Sequence, residues 1–182
     1  CPKDVPPDAE GLPILASLRN AAQEAFHGLW AGAFYSGRVR GKAVLLCAPD
    51  GEGASTVAAG LALAGSESGG GARIALLDFN LRRPALHKLF HLDPSPGLGE
   101  IVVEGLDPAT AARRVNPALD VYTAGYVAGR LLELLRSAEL ERLLRTLADG
   151  YDHVLLDAAG VNVHPDAQIV RLHLRPYLAA GG

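Results

Sequence analysis

Between Cys47 and Gly60 the chain reads CAPDGEGASTVAAG, and these residue types suit the holding of a phosphate. Gly51 and Gly53 permit a tight turn that aims backbone N–H groups at an anion, and Ser55 and Thr56 stand where a hydroxyl can hold Mg²⁺. Against the phosphate-loop pattern G-x-x-x-x-G-K-[ST], Ala48 replaces the first glycine and Ala54 replaces the lysine. The stretch is thus a nucleotide site, a damaged one, or a glycine turn that never was one. If it is a site, its residues are Gly51, Glu52, Gly53, Ala54, Ser55 and Thr56. Two further segments supply carboxylates. IALLD ends in Asp78 and HVLLD ends in Asp157, and apolar strands that end in Asp are the pattern that places Mg²⁺ beside such a loop. Ser55, Asp78 and Asp157 are therefore the expected metal-binding set. Each Asp alone reads equally well as a helix cap; three polar strand ends together favour a site.

The elements that must position these groups are legible in the hydrophobic pattern. AVLLC, IALLD, LDVYTAG and HVLLD are short apolar runs of the kind that buried parallel strands show. Between them lie helical segments: an Ala-rich helix after the glycine loop, to about Gly65; short helices at PALHKLF, PGLGEIVVEG and DPATAARRV; and the long amphipathic GRLLELLRSAELERLLRTLADG. In DPATAARRV, Asp107 is the N-cap and Pro108 the first helical residue. PDAQIVRLHL reads as a last helix, and Leu12 to Trp30 as an early one with an apolar face. CPKDVPPDAEG, residues 1–11, is a Pro-rich arm; residues 12–182 make one domain. Strands alternating with helices specify an α/β fold: a doubly wound, mostly parallel sheet in three layers, with ligands at the carboxyl ends of the strands.

Composition removes several alternatives. Lys and Arg number 17 against 20 Asp and Glu, a net charge of -3 that supplies no basic face for nucleic acid. Two cysteines make no disulfide framework, and Cys47, ending an apolar strand, reads as a small core residue. No C-x-x-C occurs and the six histidines lack ligand spacing, which argues against structural zinc. No run of 18 apolar residues occurs, and no signal peptide is evident. The chain begins at Cys1 and contains no Met, so it is read as a piece of a longer protein.

GEGAST, IALLDFNLRRPALHKLF, PGLGEIVVEG and YDHVLLDAAGV resemble, in order and spacing, the bacterial tyrosine kinases of exopolysaccharide and capsule synthesis, relatives of the MinD/ParA P-loop ATPases. The similarity runs from about Glu24 to about Val170. It implies a P-loop NTPase-like fold in which the Gly51–Thr56 turn wraps phosphates, Ser55 touches Mg²⁺, and Asp78 and Asp157 are the two acidic-motif carboxylates. Arg82 and Arg83 follow the first acidic strand and read as easily as surface arginines.

The departures from the family point in one direction. The loop lysine is Ala54, the second Asp of the first acidic motif is Asn80, and AAG replaces a proline pair after Asp157. An early E-x-x-R-x-x-R stretch through which family kinases form rings keeps Glu24 but has His27 and Trp30 at the arginine positions. The chain ends in RPYLAAGG with the single Tyr177, whereas the family's domain continues past this point to a tyrosine cluster, so that tail is either lost or cut off. A charge-assisted hydrogen bond is worth ~1.5–3 kcal/mol, so loss of the lysine should weaken phosphate binding by roughly one to two orders of magnitude. Arg38, Arg40 or Lys42 would compensate only after rearrangement of the loop.

The resemblance with these losses implies a kinase-like regulatory domain, not a competent enzyme. It would require no cofactor, binding ATP or ADP with Mg²⁺ weakly at most. Its partner would be a membrane-embedded polysaccharide co-polymerase or chain-length regulator, met at the inner face of the cell membrane through the early helix or the surface above the loop. Glu24, His27 and Trp30 are the candidate partner or oligomer residues. Trp30 has two possible places, an interface or its own domain's core. The alternatives are an unorthodox but active autokinase or ATPase of the same pathway, and a decayed MinD/ParA-type positioning ATPase.

Overall fold

The computed structural model describes residues 20–36, 42–47, 53–127, 129 and 131–158. The elements are α1 (Asn20–Trp30), a π-helical turn (Ala31–Tyr35), β1 (Ala43–Cys47), α2 (Ala54–Glu67), β2 (Ile74–Asp78), α3 (Leu86–Leu89), α4 (Leu98–Glu104), α5 (Pro108–Ala111), β3 (Arg113–Asn116), β4 (Leu119–Tyr122), α6 (Leu131–Leu135), α7 (Ala138–Gly150) and β5 (His153–Ala158). The sheet order is β1-β5-β2-β4-β3. The first four strands in that order run parallel, and β3 lies antiparallel against β4. This is the expected mostly parallel α/β sheet.

Side chains alternate across a strand, so each strand feeds both faces. Ile74, Leu76, Val121 and Leu155 point to one face, where α1, α2 and α3 cover them. Ala75, Leu77, Tyr122, Val154 and Leu156 point to the other, packed against α4, α6 and α7. Continuous apolar runs such as IALLD are thus explained: every residue of β2 is buried. Parallel strands covered on both faces need no polar side.

Three local expectations change. The RRV that ends the expected α5 is instead the start of β3, because Ala112 leaves the helix with an extended backbone. The long amphipathic segment is two helices. Ser137 interrupts it, its hydroxyl accepting from Leu140 N at 3.1 Å as the N-cap of α7. Cys47 is exposed, not in the core; it is the last residue of β1, a strand with one partner among the described residues. Asp107 does cap α5, accepting from Ala109 N at 2.9 Å.

Candidate functional site

Strand parity decides which face the acidic residues occupy. Asp78 follows Ile74 and Leu76 at even spacing, and Asp157 follows Leu155, so both carboxylates share the face covered by α2. They are also register partners on adjacent strands, Asp78 beside Asp157, with Leu46 of β1 on Asp157's other side. Ser55 stands in the first turn of α2 on that face. The fold therefore brings Ser55, Asp78 and Asp157 together at the carboxyl ends of β2 and β5.

Both carboxylates are fully buried. Asp78 Oδ2 accepts from Ala85 N at 3.0 Å and Leu86 N at 2.9 Å. Those N–H groups open α3, whose own N-cap residue, Ala85, has no side chain to offer. Asp78 is thus a remote cap of α3, which accounts for the cap reading of this residue. Its Oδ1 has no partner. Burial pushes its pKa up to about 7, opposed by the N–H groups of Leu86, Ala85 and Asn80 and reinforced by the charge of Asp157. Asp157 is likewise raised by burial, with the Ser55 hydroxyl the group that pulls it down. Neither oxygen of Asp157 has a hydrogen bond of regular geometry. A buried ion without a partner costs several kcal/mol, so three orphaned oxygens in one place demand an explanation.

The start of α2 is a helix N-terminus preceded by a left-handed glycine. Gly53 adopts φ 78°, a left-handed conformation that glycine accepts without strain, and its carbonyl receives Val57 N at 2.9 Å. The first N–H groups of this 14-residue helix face the carboxyl edge, where a phosphate is favoured. Ala54 is buried and Thr56 is exposed. Gly51 and Glu52 lie outside the described residues, as do Arg38, Arg40 and Tyr177. Lys42 does not substitute for the missing lysine. It precedes β1 at the opposite edge of the sheet, and its Nζ donates to Ala148 O at 2.7 Å near the end of α7. Asn80 is half-buried, and Arg82 and Arg83 are exposed.

Glu24, His27 and Trp30 do not form one surface. Steps of three residues rotate around a helix of 3.6 residues per turn, so the three diverge. Glu24 faces outward. His27 Nε2 lies 3.5 Å from Glu67 Oε2 of α2. Trp30 is 1% exposed, stacked on Phe34 at 3.9 Å and edge-on to His153 at 5.2 Å. Of its two possible places, the core is the one observed, which corrects its role as an exposed interface anchor. The cause lies on α2: a Cβ at Gly65 would come within 2.7 Å of the Trp30 ring, so only glycine lets the indole reach the sheet.

The donor set suits Mg²⁺, a hard cation that takes oxygen ligands and commonly uses one or two carboxylates with waters. Among the described residues no group of three or more His, Cys, Asp or Glu side chains could hold a metal, so any cation would rest on the two aspartates and Ser55. A cavity of about 780 Å³ lies elsewhere, between the last turn of α4 and the α6–α7 junction, lined in part by Val103, Leu134 and Glu104. It contains none of the candidate residues. Among the described residues no helix is long and apolar enough to cross a membrane.

No protein-family model matches the chain. It is similar to tyrosine-protein kinase YwqD of Bacillus subtilis, 33% identical over 66% of this chain and 50% of the relative. It is also similar to tyrosine-protein kinase ptk of Acinetobacter johnsonii, 34% identical over 54% of this chain and 14% of the relative. The chain thus spans half or less of the length of these two relatives. The kinase domain of Escherichia coli tyrosine kinase ETK superposes with a TM-score of 0.78 at 25% identity, covering 88% of this chain and 64% of that one. Two more distant structures share the fold. One is a ParA family ATPase from Chlorobium tepidum TLS, with TM-score 0.53, 18% identity, and coverage of 73% and 57%. The other is cobyrinic acid a,c-diamide synthase from Mycobacterium smegmatis, solved with bound ADP and magnesium, with TM-score 0.53, 22% identity, and coverage of 71% and 54%.

Proposed function

We propose that this chain, whose homologues are bacterial tyrosine-protein kinases, is a catalytically degenerate, kinase-like regulatory domain of exopolysaccharide or capsule assembly. It acts by binding a membrane-embedded co-polymerase at the inner face of the membrane. The observation that carries the reading is Ala54. It sits buried in the first turn of α2, where the family pattern has its lysine, and Lys42 is committed to α7 at the far edge of the sheet. The lysine neutralises charge that develops on a transferring phosphoryl group. Without it, backbone N–H groups at the start of α2 hold a phosphate weakly and turnover suffers more. Asn80 in place of an acid adds to the loss, since an amide cannot accept a proton at neutral pH.

One observation favours a second reading, an active but unorthodox ATPase or autokinase. Asp78 Oδ1 and both oxygens of Asp157 are kept buried and without partners, an arrangement useful to a metal-dependent enzyme. The two readings separate in one experiment. ATP with Mg²⁺ is titrated into the protein, phosphate release is followed, and labelled ATP is used to look for phosphotyrosine. The regulatory reading expects weak or absent binding, no turnover and no label. Low-micromolar ATP binding with turnover, or phosphate on any of the five tyrosines, would replace it with the enzyme.

A further inference from the structure

The cleft of about 780 Å³ beside α4 contains none of the residues of the site above. It lies where two helices stop: α4 ends at Gly105, at φ 73°, and α6 gives way to α7 at Ser137. Its volume falls within the roughly 300–1,000 Å³ of clefts that hold ligands. The floor is apolar, with Leu134 buried and Val103 half-buried. The rim is acidic: Glu104, Glu133 and Glu139 are exposed there, and among the described lining residues the one cation is Arg136. Arg142 lies 3.6 Å from Glu139 and offsets part of that charge. The excess is local, since the whole chain nearly balances 17 basic against 20 acidic residues.

We propose that this cleft docks a Lys/Arg-rich segment of the partner, the cytoplasmic stretch that flanks one of its membrane spans. This docking presupposes the regulatory reading above, in which the domain works by binding a membrane-embedded protein. Charge and shape choose the occupant together. Lys and Arg carry long apolar stems that end in a charged head. The stems lie on Val103 and Leu134 while the heads reach the carboxylates of the rim. A purely apolar segment would leave the rim unanswered, and an acidic one would be repelled. Membrane proteins concentrate Lys and Arg in the cytoplasmic residues next to their spans, so the part of the partner nearest the bilayer has the required charge. The same rim rejects the lipid itself, because the anionic headgroups of the inner leaflet repel it. The early helix offers no aromatic anchor at Trp30, which is buried. The cleft shares no residue with the start of α2, so docking does not compete with a phosphate there.

The test titrates the protein into a fluorescently labelled peptide of alternating Lys and Leu, beside the same peptide with Glu for Lys, and follows anisotropy. The expected result is saturable one-to-one binding of the Lys peptide, weakened by added salt, and none of the Glu peptide. Glu104→Lys should weaken binding at least about threefold, and Glu104→Lys with Glu133→Lys at least about tenfold. Asp149→Lys changes the net charge as much as Glu104→Lys does. It lies toward the far end of α7, about 15 Å along the axis from Glu139, and should alter affinity less than about twofold. Should a charge-reversed variant not fold, the methyl NMR signals of Val103 and Leu134 in the unmodified protein carry the test, and they should shift as the Lys peptide is added. No binding up to about 1 mM, an equal loss in Asp149→Lys, or shifts confined to other residues would overturn the docking site. So would a dimer in light scattering that Glu104→Lys disperses, which gives the cleft to a second copy, or shifts of the same methyls on adding phosphatidylserine vesicles, which give it to lipid. ATP turnover is measured separately. If the peptide fails and ATP is not turned over, the docking site falls and the regulatory reading stands. If ATP is turned over, the regulatory reading falls and the docking site with it.

Discussion

Asp120, near the amino end of β4, and Asp157, near the carboxyl end of β5, are buried carboxylates in one sheet that are treated in opposite ways. Asp120 is surrounded by donors. Arg114 grips both oxygens at 2.9 and 3.1 Å, Tyr151 Oη donates at 2.7 Å, and Arg73 stands 3.8 Å away. Burial and these neighbours push the Tyr151 hydroxyl's pKa well up, so it stays a donor. Glu100 is completed in the same manner by Ser95 Oγ, Gly97 N and Tyr126 N. Asp157 has Ser55 nearby and no regular hydrogen bond at all. The chain can complete a buried acid when its role is structural. The incomplete pair lies at the sheet edge where ligands bind in doubly wound folds.

The contrast can be broken most forcefully at its satisfied end. Asp120→Ala should destabilise the fold by about 3 kcal/mol, the lower part of the range for removing one partner of a buried pair, because Arg114 is half exposed and regains water. Urea unfolding measures it, and a loss under about 1 kcal/mol would mean that the network is ornamental.

The pH dependence should expose the difference without mutation. Asp78 has a folded pKa of about 7 against an ordinary 3.8. Its contribution to stability is full below pH 4 and is lost as pH rises through 7, on the order of a few kcal/mol in metal-free buffer. Glu100 runs the other way. Burial raises its pKa, but the hydrogen bonds from Ser95 and the N–H groups of Gly97 and Tyr126 outweigh burial and lower it, so its contribution is present above its unfolded value and fades as pH falls through the folded one. Chelated protein should therefore lose stability between pH 5 and 7. A denaturant midpoint that climbs over that interval would show Asp78 ionised and satisfied.

Ala54→Lys should sharpen the comparison at the open end by raising ATP affinity roughly ten- to a hundredfold, or ~1.5–3 kcal/mol. Equilibrium binding of labelled ATP with Mg²⁺ is the measurement, and unchanged affinity would mean that the loop is no longer shaped for phosphate. The smallest expected effect is Asp157→Asn in chelator, a gain of about 1 kcal/mol from removing an uncompensated charge. A loss of similar size would show that Asp157 is already paired.

Much of this was readable in the chain itself. AVLLC, IALLD and HVLLD are short, mostly apolar strand segments, of the kind that strands covered on both faces show. The spacing also placed Asp78 and Asp157 near the carboxyl ends of their strands and Ser55 in the first turn of α2, as observed. Asp107 and Pro108 announced the start of α5. The errors were of local origin. RRV after a helical segment pairs with β4 for a reason that lies in β4, and Ser137 caps α7 within a segment whose apolar spacing looked continuous.

The composition and hydrophobic period determined the fold class and the order of its elements, because burying apolar residues at period 2 or 3.6 leaves few alternatives. What only the tertiary structure decided concerns relations between distant residues. Asp78 caps α3 because the chain turns back after β2 and aims two N–H groups at it. Trp30 enters the core, and so leaves the surface, because Gly65 of α2 makes room for its ring. Among the described residues, Asp120 finds Arg114 and Tyr151 while Asp157 finds only Ser55. Partner choice in a packed interior depends on which strands become neighbours, and that is set by the whole sheet at once, not by any one segment.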